Sequence, residues 1–246
     1  MNRITWHIIL GVSLVVISAV LYIAQIAIFH NSRDTFFYLF QDLAFIPIQV
    51  LLVTLMLNQL LDVREKLSML SKLNMVIGTF YSEAGTRLLT AFSGFDHHFD
   101  KVRGDLLVTN EWTDQKFAVV IRSVNRYDYR IDHTKSDLAT LKALLGGKRD
   151  FLLRLLENPN LLEHETFTDL LRAVFHLVEE LEVREDVTRL SQADGMHLAG
   201  DIRRAYVLLI VEWLAYMKHL KNEYPYLFSL AVRTNPFDPN ASITVR

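Results

Sequence analysis

The chain has 246 residues, of which 51% are hydrophobic, and its formal net charge is −2 at pH 7. A nearly balanced charge excludes the strongly basic composition of most nucleic-acid-binding proteins, so we expect no nucleic-acid partner. The sequence contains no cysteine, which excludes disulfides and thiolate metal sites and agrees with a reducing compartment.

The first predicted element is an apolar helix over residues 8–29, which is long enough to cross a bilayer. It is longer than the apolar core of a signal peptide and no small-residue cleavage site closes it, so we expect it to remain as a span. Gly11, Ser18, Tyr22 and Gln25 fall on one face of this helix. Small and polar residues on one face indicate where another membrane helix packs.

A short link over residues 30–35 is expected to join this helix to an antiparallel second span over residues 43–61. The chain then divides, in our interpretation, into a transmembrane hairpin (1–61), a stalk helix (62–93) and a cytosolic helical domain (94–246). Lysine and arginine are sparse between the spans and denser outside them, so both termini should be cytoplasmic, with the protein in the inner or plasma membrane.

The second span contains the first candidate functional residues, because polar groups at membrane depth are uncommon. They are Asp42, Pro47, Gln49, Thr54 and Asn58. We expect Asp42 to stay at the headgroup level. Pro47 leaves the carbonyl of Leu43 without its helical partner, and we expect Gln25 to hydrogen-bond either Gln49 or that carbonyl.

The stalk is predicted to continue the second span as one helix from about residue 48 to about residue 91. No proline or glycine lies between Pro47 and Gly78, and apolar residues recur at helical spacing. Gly78, Ser82 and Gly85 form a small-residue face on which another helix could pack, with a mild bend allowed at Gly78. The helix should break at residues 93–95.

The remaining chain is predicted to fold into four or five helices without strands, so the fold class is all-α. The expected boundaries are a Thr113-capped helix ending near Arg126, a Ser136-capped helix over 137–157 that bends at Gly146 and Gly147, a helix opened by a capping box of Thr166 and Asp169, and a last helix that begins within 192–201 and ends before Pro225.

The last helix is apolar nearly all round and is therefore expected to form the centre of the soluble core. We expect it to pack against the helices of residues 152–156 and 170–178. Glu212 interrupts its apolar surface, and a buried carboxylate needs a cation or a hydrogen-bond donor. The candidates for that partner are Arg172, His176 and Lys218.

One compact group of histidines and carboxylates is a weak candidate for a metal site: Asp96, His97, His98 and Asp100. Adjacent side chains on a helix point about 100° apart, so neighbouring histidines seldom share a metal. We favour a solvated loop here.

Two further polar runs are also expected to be structural. Asp194, His197 and Asp201 share a helix face, but the second helix with a Glu-x-x-His pair that a carboxylate-bridged di-metal bundle requires is missing. The run that includes Glu165, Asp169, His176 and Glu179 has the acidic first turn that any helix favours. No metal ligand set and no cofactor are therefore predicted.

Three segments resemble a family of uncharacterised prokaryotic integral membrane proteins that have two spans and a cytosolic helical domain. They are FIPIQVLLVTLMLNQLL (45–61), ENPNLLEHETFTDLLRAVFHLVEEL (157–181) and YPYLFSLAVRTNPF (224–237). The resemblance implies the two-span topology and an inner-membrane location. It implies no activity or catalytic residue, since none is established for that family.

The function that we expect is non-enzymatic: a homo-oligomeric membrane protein whose cytosolic helices form an interaction or sensing module, with lipid and an unidentified cytosolic protein as partners. The alternative is an oligomeric channel or pore lined by the second span at Gln49, Thr54 and Asn58. A third class is a membrane-anchored, metal-dependent enzyme. No catalytic motif supports an enzyme, so no catalytic residue is predicted.

Overall fold

The structure is a computed structural model that describes residues 3–29, 32–161 and 164–244. Its elements are helices throughout these ranges, and the only β pairing in them is an isolated antiparallel bridge between Asp96 and Ile131. The all-α prediction is confirmed. The chain divides into two compact units, Met1–Lys66 and Leu67–Arg246.

The N-terminal unit contains α1 (Arg3–Phe29) and the first part of α2 (Ser32–Phe80). Because α2 begins at Ser32, the link between the two helices is shorter than the six residues predicted; residues 30 and 31 lie outside the described ranges. Within the described residues, one helix, Arg33–Arg64, is long and apolar enough to cross a membrane, and a shorter apolar helix spans Val12–Ile28.

The polar contact between α1 and α2 in this unit differs from the predicted one. Tyr22 Oη donates a hydrogen bond to Asp42 Oδ2 at 3.3 Å. Gln25 is half-buried and makes no hydrogen bond with Gln49 or with the carbonyl of Leu43, so that prediction was wrong. The side chain one helical turn before Gln25 makes the contact instead.

The C-terminal unit contains the end of α2 and eight further α-helices in the ranges that the structure describes. They are α3 (Thr86–Ser93), α4 (Phe99–Arg103), α5 (Asp114–Arg126), α6 (Leu138–Gly146), α7 (Arg149–Leu156), α8 (Glu165–Glu182), α9 (Gln192–Glu223) and α10 (Pro225–Arg233). A π-helical turn, Tyr81–Gly85, joins α2 to α3, and 3-10 turns follow at Gly104–Leu106 and Pro159–Leu161.

α2, the π turn and α3 follow one another directly in sequence up to Ser93, and the irregularity in this stretch is the π turn at Tyr81–Gly85 rather than a bend at Gly78. Gly78 contacts α9: a Cβ placed there would lie 2.7 Å from Tyr216 Oη. A Cβ on Gly85 would meet the rings of Tyr81 and Phe80. These two glycines therefore make room for aromatic side chains of their own unit, while Ser82 is exposed.

The helix starts were predicted less accurately than the helices themselves. Thr113 caps α5 as expected, accepting a hydrogen bond from Lys116 N at 3.2 Å. However, Asp137 rather than Ser136 caps α6, and His164 rather than Thr166 caps α8. The helix predicted over 137–157 is broken into α6 and α7 at Gly147, and the helix α10 was not predicted.

The core of the C-terminal unit is built around α9, as predicted. The six side chains predicted to form its buried surface are at most 3% exposed: Tyr206, Leu209, Ile210, Trp213, Leu214 and Met217. α8, α5, α10 and α3 pack directly on α9, whereas α7 packs mainly on α8, so the contact expected between residues 152–156 and α9 is largely replaced by a contact with α8.

Glu212 is buried in this core at 4% exposure, but none of its three expected partners contacts it. Arg172 pairs with Asp169, Lys218 pairs with Asp114, and His176 faces a different carboxylate cluster. Glu212 instead lies near Tyr81, whose pKa is raised by burial and then by the Glu212 charge. These pairings depend on how each helix is rotated and placed against its neighbours, which the sequence does not provide.

Candidate functional site

Two histidine–carboxylate pairs face one another where α8 and α9 pack together. α8 carries His176 and Glu180, and α9 carries His197 and Asp201. Side chains four residues apart share one face of a helix, so each pair points to the same side of its own helix. The packing of the two helices then brings all four side chains into a single cluster.

The packing beside the cluster explains why the two pairs meet. On α8, Leu177 and Leu181 follow His176 and Glu180 in sequence and are at most 1% exposed. On α9, Leu198 and Ile202 follow the other two members and are 0% exposed. Burial of these neighbours against the common core fixes the rotation of each helix, and the polar pairs are left at the edge of the contact between α8 and α9.

The distances within the cluster are close to those between ligands of one ion. His197 Nε2 lies 3.3 Å from Asp201 Oδ2 and 3.5 Å from Glu180 Oε2. His176 Nε2 lies 3.8 Å from Asp201 Oδ2 and 3.8 Å from Glu180 Oε1. One ligand atom from each of Glu180, His197 and Asp201 lies within 4.8 Å of the other two. Both imidazoles therefore contact both carboxylates.

Asp201 is the inner member of the cluster and is 4% exposed. Its Oδ1 accepts a hydrogen bond from Arg204 Nη1 at 3.2 Å. Its Oδ2 is buried and accepts no hydrogen bond, although both histidine nitrogens are nearby. His176 and His197 have side chains 44% and 54% exposed, so the cluster is closed at Asp201 and open to solvent at the imidazoles.

Arg184 orients Glu180, the second carboxylate of the cluster. Its guanidinium lies 2.7 Å from Glu180 Oε2 and 2.6 Å from Asp194 Oδ1, and its side chain is only 16% exposed. The hydrogen bonds from Arg184 hold the pKa of Glu180 and of Asp194 below the usual range, and they raise the pKa of Arg184. Glu180 is therefore ionised and fixed in position at neutral pH.

Sequence reasoning found half of this cluster and missed the other half. It considered His197 and Asp201 together with Asp194, but Asp194 points to Arg184 and takes no part in the cluster of four. It treated His176 as part of an ordinary polar run and did not consider Glu180. The available signal was a histidine with a carboxylate four residues later, which occurs on α8 at His176 and Glu180 and on α9 both at His197 and Asp201 and at His219 and Glu223.

Three of the four candidate ligands at residues 96–100, namely Asp96, His97 and Asp100, are directed to separate partners. Asp96 is 0% exposed, and its Oδ1 accepts hydrogen bonds from the backbone N–H groups of His98 and Arg130. His97 Nε2 lies 2.8 Å from Asp132 Oδ2. Asp100 has a side chain 92% exposed, 3.5 Å from Arg103 Nη1. Asp96 thus organises the local turn, and these residues remain weak metal candidates that the structure does not test.

A second polar feature lies in a cavity of about 610 Å³ lined by the end of α2, the end of α9 and α10. His219 Nδ1 lies 3.3 Å from Asn74 Nδ2, and the ring packs edge-on against Tyr224. Burial lowers the pKa of His219, an effect that the charge of Glu223 partly offsets. The imidazole is therefore held neutral inside an aromatic-walled cavity.

Comparison with known proteins gives a family but no activity. Residues 69–233 match the family described as Uncharacterized protein MJ1433, C-terminal helical domain, and residues 2–61 match the one described as MJ1433, N-terminal helical domain. The uncharacterized protein MJ1433 of Methanocaldococcus jannaschii is 45% identical over 245 residues, which cover 100% of this chain and 98% of that protein. No solved structure matches the chain.

Proposed function

The chain belongs to the family of the uncharacterized protein MJ1433, and from this premise we propose that it is an integral membrane protein with a C-terminal sensing or interaction module. The observation that carries the proposal is the surface of the N-terminal unit. Large apolar side chains are exposed along α1 and along the first part of α2; Val15 is 70% exposed, Ile28 68% and Met56 64%. Water-soluble proteins rarely expose apolar surface of this extent, and a bilayer would cover it.

The proposed topology is a two-span hairpin with both termini in the cytoplasm. α2 supplies a span within Arg33–Arg64, whose mean hydropathy is 1.9. α1 has 27 residues, a length of about 40 Å, which exceeds the roughly 30 Å of the hydrocarbon core. Arg64 and the later lysines would lie on the cytoplasmic side with Arg3, in agreement with the positive-inside rule.

Homo-oligomerisation is part of the proposal because α2 exposes amide and hydroxyl groups at membrane depth. Gln49, Thr54 and Asn58 are all exposed in the single chain, and a second copy would cover them more favourably than lipid. The pore alternative is weaker. Nine residues separate Gln49 from Asn58, which places them on opposite faces of a helix with 3.6 residues per turn. Thr54 and Asn58 are four residues apart and share a face, so these two could line a channel together but Gln49 could not line it with them.

Membrane insertion and topology can be tested with the cysteine-free chain, because every introduced cysteine is then the only one. Asp34→Cys tests the connection between α1 and α2, and Ala241→Cys tests the C-terminal end; both positions are exposed. In intact cells a membrane-impermeant maleimide should label Asp34→Cys alone, and permeabilised cells should allow Ala241→Cys to be labelled as well. Release of the wild-type chain from membranes by alkaline carbonate would contradict the proposal.

Oligomerisation is tested separately by the mass of the chain in detergent, measured by light scattering after correction for bound detergent. A mass of two or more chains is expected, and Asn58→Leu should lower the fraction of oligomer if a partner copy covers the amide. A monomer at every concentration would remove the oligomer from the proposal and leave the topology standing.

A further inference from the structure

We propose that His176, Glu180, His197 and Asp201 bind one divalent transition-metal ion of the zinc or iron(II) class. All four residues lie within Leu67–Arg246, so the inference does not depend on membrane insertion. It goes beyond the proposed function by giving the C-terminal module a ligand.

The spacing of the donor atoms is the first argument. Zn²⁺ binds histidine nitrogen and carboxylate oxygen at about 2.0–2.2 Å, so the ligand atoms of a tetrahedral site lie about 3.3–3.6 Å apart. The contacts of His197 Nε2 with the two carboxylates, at 3.3 and 3.5 Å, fall in this range. His176 Nε2 lies 3.8 Å from Asp201 Oδ2 and 3.8 Å from Glu180 Oε1, which is the other oxygen of Glu180 from the one that His197 faces. Glu180, His197 and Asp201 are therefore close to the geometry that they would adopt around an ion, and His176 has to move closer to become the fourth ligand.

The second argument is the unsatisfied oxygen of Asp201. A buried carboxylate oxygen without a hydrogen bond is costly, and Oδ2 is in that state beside two imidazole nitrogens. If the cluster were a set of ordinary ion pairs, Oδ2 would be the natural acceptor of a histidine N–H. A cation between Oδ2 and the two nitrogens satisfies all three atoms at once.

The residues around the four ligands hold the carboxylates as a metal site requires. Arg204 binds Asp201 Oδ1 and leaves Oδ2 facing the histidines. Arg184 holds Glu180 through Oε2, the oxygen that also faces His197, while Oε1 faces His176. Such outer contacts orient ligands and contribute strongly to metal affinity. When the imidazoles are neutral, the two carboxylates of the cluster and the neighbouring Asp194 exceed the guanidinium groups of Arg184 and Arg204 by one negative charge. The cluster therefore attracts a cation.

The donor set selects the class of ion. Two imidazoles with two carboxylates suit Zn²⁺, Fe²⁺ and Co²⁺, whereas Mg²⁺ and Ca²⁺ prefer oxygen ligands alone. Because two ligands come from α8 and two from α9, the ion would join the helices on either side of the 183–191 connection. Metal binding would thus stabilise the contact between the two central helices, which is the effect that a sensing module needs.

The test uses the full chain, purified in detergent without a histidine tag and stripped of metal with a chelator. Zn²⁺, Co²⁺ and Mg²⁺ are added separately, and binding is followed by metal analysis after desalting, by the melting temperature and by the visible absorption of bound Co²⁺. We expect one Zn²⁺ or Co²⁺ per chain, a higher melting temperature and Co²⁺ bands of low coordination number, with no effect of Mg²⁺.

Two double variants remove the same number of histidines. His176→Ala/His197→Ala should lower the affinity for Co²⁺ by at least about 100-fold, whereas His97→Ala/His98→Ala should bind as wild type does. Arg204→Gln alters a side chain that is 62% exposed and so should not disturb folding; it should weaken binding about 10- to 100-fold. The proposal is overturned if wild type binds no metal, if the first variant retains wild-type affinity, or if the second loses as much as the first.

Discussion

Trp213 is a buried side chain through which α9 contacts Phe237, in the C-terminal tail that follows α10. It is 3% exposed, and its ring meets Phe237 edge-on with the ring centroids 5.1 Å apart. Truncating a large buried aromatic side chain loses both its burial energy and its contacts, so Trp213→Ala should lower the free energy of unfolding by about 3–5 kcal/mol. Denaturant titration measures the loss. Trp213→Phe keeps a ring against Phe237 and should lose clearly less; equal losses would mean that the tail contact does not matter.

His219 gives the fold a dependence on pH with a definite sign. Because burial lowers its pKa in the folded state, the unfolded chain binds a proton first as the pH falls through about 6.5. The stabilisation is therefore present above that pH and is lost below it. Between about pH 7 and about pH 5 the wild type should lose more stability than His219→Gln, which can still contact Asn74 but cannot titrate. Parallel curves for the two proteins would contradict this account.

At the scale of single helices, capping residues decide where α6 and α8 begin. Asp137 accepts hydrogen bonds from the backbone N–H groups of Ala139 and Thr140 at 2.8 and 3.1 Å and from Thr140 Oγ1 at 2.6 Å, and these bonds lower its pKa. The neighbouring Ser136 makes none of these bonds. Asp137→Ala should therefore lower the melting temperature, and Ser136→Ala should not. If Ser136→Ala lowered the melting temperature and Asp137→Ala did not, Ser136 would be the cap, as the sequence predicts.

The sequence predicts helices well where a long apolar face is present, and it predicts helix caps and local irregularities less well. The apolar face of α9 determines its burial, so its core residues follow from periodicity alone. The cap of α8 does not follow, because His164, Thr166 and Asp169 all offer a side-chain acceptor near its start. The π turn at Tyr81–Gly85 has no periodicity signal in the sequence either. It accompanies a tertiary contact, since Tyr81 Oη donates a hydrogen bond to the carbonyl of Leu209 at 2.9 Å.

The same reasoning explains why the cluster on α8 and α9 could be predicted only in part. Each histidine–carboxylate pair is visible in the sequence, but a site needs the two pairs at the same height along packed helices. That register depends on how the buried side chains of the two helices pack, among them Leu181 of α8 and Leu198 of α9. Pairing across helices is not encoded in the spacing within either one. Glu180 can be assigned to the cluster only when the packing of α8 on α9 is known.

At the scale of the whole molecule, the part that folds independently begins before the domain boundary predicted at residue 94. Residues 62–93 were predicted as a stalk, yet several side chains from residue 73 onward are buried with the rest of the C-terminal unit. Phe80 packs edge-on against Phe167 at 5.4 Å, and Phe92 packs against Tyr206 at 6.0 Å. Both phenylalanines are 0% exposed. Removing this segment would therefore open the core along its length.

A fragment of residues 67–246 should consequently be soluble without detergent, melt cooperatively and retain the proposed metal site. A fragment of residues 94–246, which begins at the predicted domain boundary, should aggregate or lack a cooperative transition, since it loses Phe80 and Phe92 and leaves Phe167 and Tyr206 without these contacts. Circular dichroism and size-exclusion chromatography of the two fragments make the comparison. If the shorter fragment folded as stably as the longer one, residues 67–93 would be a stalk attached to the domain, and the aromatic contacts would be incidental to its stability.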